Sequence, residues 1–159
     1  MTTAPQGGRP KLYLEDLTTG QKFISRTHAL DAAQIKTFAA DFDPQPFHLD
    51  EDAAADSFFG GLAASGWHTA AITMRLVVET LPLAGGVIGA GGELVWSKPT
   101  RPSDILQVEI EILSINPSRS RPGRGSAMIG ITTRNQNGDV VQTFNVKTLL
   151  IGRSTTSAG

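Results

Sequence analysis

Along the chain the apolar positions repeat first with a helical period and then with an extended one. From Asp31, residues Ile35, Phe38, Ala39 and Phe42 fall at i, i+3, i+4 and i+7, one face of a helix. Asp31 is its N-cap and Gln34, three residues on, completes a capping-box pattern, while Pro44 and Pro46 end the helix. A short helix restarts in "DEDAAADSF", with Asp50 as cap and acids in the first turn, where the helix dipole favours them. The strongest repeat follows. Trp67, Ala70, Ala71, Met74, Val77, Val78 and Leu81 line one face of a helix that Ser65 can cap and Pro82 stops, and that face must be buried.

After this helix the period becomes two. In "DILQVEIEILSI", Leu106, Val108, Ile110 and Ile112 alternate with polar residues, as in a half-buried antiparallel strand. "GGELVWS", "SAMIGITTRN" and "DVVQTFNVKTLLI" are its expected neighbours, the last two joined at Asn137-Gly138 by a two-residue hairpin turn. A strand or two precede the first helix. A sheet with one apolar face and a single long apolar helix bury each other when the sheet curls round the helix, so the expectation is an α+β hot-dog fold. Its exposed sheet edges predict pairing with a second copy, at least a homodimer.

Composition narrows the function. The chain has 159 residues, enough for one domain with a real core, and its 17 Gly and 9 Pro fit a turn-rich fold. Residues 1–10 and 152–159 read as loose tails around a single domain over 11–151. A formal net charge of -1 supplies no field for nucleic acid or an anionic membrane, so neither is expected as a partner. With no Cys, disulfides, thiolate catalysis and Cys-ligated metals are excluded. There is no apolar leader or spanning run, and a soluble cytoplasmic protein is expected.

The candidate chemistry lies between the two longer helices. Asp43 and His48 stand five positions apart around Pro44 and Pro46, which fix φ at two of the intervening residues. An isolated D-x-x-x-x-H carries little information, because the prolines would end a helix in any case. The context adds a second feature: Ser65-Gly66-Trp67 opens the long helix, whose first N–H groups have no intrahelical acceptor and can polarise a carbonyl. Glycine at 66 also lets a substrate approach the backbone.

The run D-P-Q-P-F-H-L-D-E-D-A-A from Asp43, followed by "FFGGLAASGWHTAA", resembles the MaoC-like dehydratase family, the (R)-specific enoyl-CoA hydratases. Asp43 matches the family's acid, Pro46 its proline, His48 its histidine and Asp50 the acid after it, with Gln45 in place of the usual Asn. Ser65-Gly66-Trp67 matches the family's His-Gly-Met-like segment through its glycine. "ELVWSKPTRPSDIL" is similar to the family's strand and turn after the central helix, with Ser103 where Gly is common. The resemblance covers residues 12 to 151.

It implies reversible hydration of a trans-2-enoyl-CoA to a 3-hydroxyacyl-CoA, with Asp43 and His48 as the acid/base pair and the Gly66 N–H holding the thioester oxygen. Gln45, Pro46, Asp50 and Ser65 would position the loop, and Phe47 and Trp67 would border the substrate. The partner is then an acyl-CoA thioester, with no metal and no separate cofactor. Which member of the pair is the base stays open at this level. A hot-dog thioesterase and a non-catalytic acyl-CoA-binding or subunit module are the rival readings.

Other features have simpler accounts. Asp50, Glu51 and Asp52 are explained as a cap and first-turn acids rather than metal ligands. The glycines of "AGGVIGAGGELVW" precede a strand with no G-K-[ST] after it, which argues for a turn over a nucleotide loop. Arg119, Arg121 and Arg124 suit CoA phosphates, since guanidinium binds phosphate bidentately, or form a solvated hairpin loop. His28 falls in a strand-like segment and His68 on the polar side of the long helix, where structural or surface roles are expected.

Overall fold

A computed structural model describes residues 9–153, so the expected N-terminal tail lies almost wholly outside the described residues. At the other end Gly152 and Arg153, assigned above to a loose tail, are held: the Gly152 N–H donates to the Gly123 carbonyl at 2.7 Å and Arg153 pairs with Asp16 at 2.7 Å.

The chain runs through β1 (Lys22–Ala29), α1 (Ala32–Phe42), α2 (Pro46–Leu49), α3 (Glu51–Ala55), α4 (Gly66–Thr80), β2 (Ile88–Trp96), β3 (Ile105–Pro117), β4 (Arg124–Arg134) and β5 (Val140–Ile151). The strands form one antiparallel sheet in the order β1-β3-β4-β5-β2. The sheet packs on α4 in a hot-dog fold. Leu106, Val108, Ile110 and Ile112 are each fully buried, and Leu76, Val77 and Leu81 of α4 and its C-cap join the same core. The period-two pattern of β3 therefore describes its burial.

Helix ends follow local chemistry with one departure. Asp31 Oδ1 accepts from the Gln34 N–H at 2.8 Å, but the Gln34 side chain turns to His28 Nε2 at 3.1 Å, so only half of the capping box forms. Asp50 caps α3 by accepting from the Asp52 N–H. The hairpin at Asn137-Gly138 is longer than a two-residue turn. Asn135 bonds Asp139 across it, Gly138 takes φ of 80°, and the Asn135 side chain accepts from the N–H groups of both Asn137 and Asp139.

The face that α4 buries differs from the apolar face read in its sequence. His68, Thr69, Ile72, Thr73, Leu76 and Val77 are buried, while Trp67, Met74 and Val78 are exposed. The threonines of the buried face keep hydrogen-bond partners, while His68 is stacked on a ring and its Nδ1 has no hydrogen-bond partner among the described residues. Thr69 Oγ1 bonds Thr100 Oγ1 at 3.0 Å, Thr73 Oγ1 bonds Thr133 Oγ1 at 2.7 Å, and the His68 ring stacks on Phe38 at 4.5 Å. A hydroxyl that keeps a hydrogen bond loses little on burial.

Candidate active site

Asp43 and His48 meet because a helix end and a helix start are placed back to back. Asp43 is the C-cap of α1, its N–H bonded to the Ala39 carbonyl at 2.9 Å. Three residues later Pro46 occupies the first position of α2, where its missing N–H costs nothing and its fixed φ suits the helix. Two residues further on comes His48. The segment expected to be a stiff extended loop thus becomes a short helix begun by proline.

His48 is 4% exposed and its two ring nitrogens have separate neighbours. Nδ1 lies 2.6 Å from the Ala63 carbonyl, which can only accept, so Nδ1 carries the proton. Nε2 is left to face Asp43 Oδ2 at 3.3 Å. The backbone holding Ala63 is itself fastened: its N–H donates to the Phe47 carbonyl at 3.3 Å, and the Ala64 N–H donates to the Thr100 carbonyl at 2.9 Å. Arg101 gathers the carbonyls of Phe59, Gly61 and Leu62 just before it.

Both oxygens of Asp43 are engaged. Oδ1 accepts from Gln45 Nε2 and Oδ2 from Ser65 Oγ, each at 2.6 Å. Burial pushes the Asp43 carboxyl up, but the hydrogen bonds from Ser65 and Gln45 and the nearby His48 imidazole outweigh it and hold the group below its ordinary value. Ser65 is also the N-cap of α4, accepting from the Trp67 N–H at 3.3 Å. One hydroxyl therefore ties the acid to the helix start.

Gly66 opens α4, with its N–H at the positive end of the helix. The Trp96 indole lies directly on it: a Cβ at position 66 would fall 2.5 to 2.8 Å from three of the ring carbons. Gly66, His48, Phe47, Phe59, Trp96 and Lys98 border a cavity of 430 Å³. An imidazole and a helix N-terminus at one cavity, with the Asp43 carboxylate 3.3 Å from that imidazole, are the groups needed to move protons at a carbonyl-conjugated carbon.

Sequence reasoning brought together Asp43, His48, Gln45, Ser65, Gly66 and Phe47 correctly as neighbours, with Pro46 and Asp50 at the ends of α2. Trp67 is 60% exposed, and its ring meets the site at Trp96, edge to face at 5.2 Å. Arg121 and Arg124 border a different cavity with Ile88 and Lys147, at the far end of β2 from Trp96, and Arg119 is exposed beside it. His68 is buried rather than at the surface. Missed were Trp96, Gln142, whose Oε1 accepts from Trp96 Nε1 at 2.9 Å, and Arg101. Trp96 had a signal, an aromatic residue ending a strand whose glycines mark close packing; the other two act through distant contacts that have none.

Among the described residues no group of three or more His, Asp or Glu could hold a metal ion, and no helix is long and apolar enough to cross a membrane.

A curved antiparallel sheet around one helix, with an Asp/His pair at that helix's start, defines a hot-dog protein. The chain belongs to the MaoC-like dehydratase family, whose MaoC-like domain matches residues 15–133. Among solved structures it is similar to a MaoC-like dehydratase from Rhodospirillum rubrum, at 59% identity and a TM-score of 0.88 over 89% of this chain and 98% of that one. It is also similar to an (R)-hydratase from Pseudomonas aeruginosa, at 26% identity and a TM-score of 0.72 over 89% and 86%. A 3-hydroxybutyryl-CoA dehydratase from Methylorubrum extorquens is 33% identical over 69% of each chain.

Proposed function

We propose that the protein is an (R)-specific enoyl-CoA hydratase, adding water to trans-2-enoyl-CoA thioesters and removing it from (R)-3-hydroxyacyl-CoA. The observation that carries this reading is His48 Nε2 at 3.3 Å from Asp43 Oδ2, with His48 and Gly66 bordering one cavity. Family membership and the hydratase and dehydratase relatives support the same chemistry.

In the forward direction a water held between the pair loses a proton as its oxygen bonds C3. The π electrons move to the thioester oxygen, and a proton returned to C2 completes the product. The enolate-like oxygen sits at the Gly66 N–H, where the helix dipole favours negative charge. His48 Nε2 and the Asp43 carboxylate, pinned on both oxygens, face this water together, so the pair acts as a unit. Hydration neither oxidises nor reduces the substrate, and no redox cofactor enters its balance.

The working form is a homodimer. Trp67, Met74 and Val78 of α4 and Ile88 and Val95 of the edge strand β2 are exposed apolar residues in one chain, and pairing β2 with its copy would cover them. Arg121 and Arg124 would then reach CoA phosphates from a second copy whose β2 runs antiparallel to this one.

The test is to mix the purified protein with crotonyl-CoA and longer enoyl-CoA thioesters, following conjugated-thioester absorbance, free thiol and product chirality together. Absorbance loss without thiol, giving the (R)-alcohol and absent in His48→Ala, is expected. Thiol release would replace the reading with thioester hydrolysis, and no turnover with any chain would overturn it.

A further inference from the structure

Two cavities lie in line along α4. The first, bordered by His48, Gly66 and Thr69, sits at the first turn of the helix. The second, of 380 Å³, lies further along, bordered by Met74 and Val77 of the helix and by Gly89, Phe144 and Val146 of the sheet. Sheet register connects them. Trp96 pairs with Gln142, Leu94 with Phe144 and Gly92 with Val146, and alternate residues of a strand share a face. The row holding Trp96 is therefore one two-residue step along the strands, about 7 Å, from the row where the second cavity begins. That cavity is apolar except for Thr148, whose hydroxyl is buried without a hydrogen-bond partner.

Trp96 stands at the boundary and is held from three sides. Its ring rests on Gly66, the Trp67 ring meets it edge on, and its Nε1 donates to Gln142, a side chain only 1% exposed. A buried acceptor fixes the plane of the indole, so the ring is a wall and not a swinging lid.

We infer that Trp96 ends the acyl pocket of this enzyme and limits it to short enoyl thioesters, and that the apolar cavity beyond is an acyl extension which a smaller residue at position 96 opens. The inference rests on the hydratase reading above. A long acyl chain lying against the Gly66 N–H meets the indole before it reaches the second cavity.

The experiment compares kcat/KM for trans-2-decenoyl-CoA with that for crotonyl-CoA. The wild-type protein favours crotonyl-CoA. Trp96→Ala raises the decenoyl-to-crotonyl ratio about a hundredfold, the scale on which a pocket wall discriminates added methylenes. Thr148→Ile, added to Trp96→Ala, fills the extension and returns the ratio toward wild type. Trp96→Leu serves if the alanine variant does not fold, with circular dichroism and a melt on each protein.

A wild-type preference for decenoyl-CoA, or an unchanged ratio in the folded variants, overturns the wall while leaving the hydratase reading intact. If no thioester is turned over, the hydratase reading fails, and calorimetric binding of butyryl-CoA and decanoyl-CoA decides the wall. Wild-type binding of the butyryl ester alone, with decanoyl binding gained by about tenfold or more in Trp96→Ala, upholds it. Any other binding pattern, including none, overturns it.

Discussion

Ser65 Oγ donates to Asp43 Oδ2 at 2.6 Å, so the cap of the central helix is also the anchor of the Asp43 carboxylate. Through this one hydroxyl the C-terminus of α1 is tied to the N-terminus of α4.

Replacing either member of the pair removes a group assigned to proton transfer under the proposed function, and His48→Ala also deletes a buried ring. His48→Ala and Asp43→Asn are each expected to lower kcat by about 10²–10⁴-fold. Steady-state hydration of crotonyl-CoA checks this, with melting curves to show that both variants fold.

Ser65→Ala removes both a cap and an anion's hydrogen bond. A loss of about 1 kcal/mol is expected from the cap alone. The Asp43 carboxyl, now held down chiefly by Gln45 and His48, rises toward its ordinary value, so the acid limb of the pH–rate profile moves to higher pH. Ser65→Thr keeps the hydroxyl and should restore the wild-type limb. For stability the sign follows from the depressed folded-state value: the contribution of Asp43 is present above pH 3.8 and is lost as pH falls through that value and below.

Gly66→Ala would drive a methyl group into the Trp96 ring, at 2.5 Å from its nearest carbon. Overpacking of this kind costs about 1–3 kcal/mol. The cost should shrink when Trp96→Ala is made in the same chain, and a double-mutant cycle on denaturant midpoints measures that coupling.

Ser103 has φ of 72°, the left-handed conformation that costs any residue with a Cβ. The turn gains from glycine here. Ser103→Gly is expected to stabilise the protein by about 1 kcal/mol, seen as a rise in Tm.

Burial, and then the charge of His28, push the His68 imidazole below its ordinary value of 6.5. A group that resists protonation when folded destabilises the fold as acid is added: full stability holds above about pH 6.5 and declines as pH falls from there through the folded-state value. His68→Phe keeps a ring stacked on Phe38 and removes the titration. The drop in Tm between neutral pH and pH 5 should therefore be smaller in this variant, as scanning calorimetry would record.

The sequence by itself determined what depends on near neighbours. Helix α1 ends at Phe42 with its C-cap just before Pro44, α2 starts on Pro46, Ser65 caps α4, and β3 alternates as written, because capping, fixed proline φ and side-chain period act within a few residues. Ser103 at the place of a usual glycine was legible for the same reason, since the backbone conformation of that turn is local. The Asp43 and His48 spacing, with Gly66 behind it, was enough to identify the family.

Only the tertiary structure decided which face of α4 is inside. Hydropathy scores a side chain alone, whereas Thr69 and Thr73 are buried against hydroxyls from positions 100 and 133, and His68 against a ring from α1. The apolar residues on the other flank are left outside in a single chain. Likewise Trp96 on Gly66, Gln142 behind Trp96, and Arg101 on the loop before Ala63 join residues 30 to 46 positions apart. Such contacts are set by strand register and the curl of the sheet, properties of the whole assembled chain that no local pattern contains.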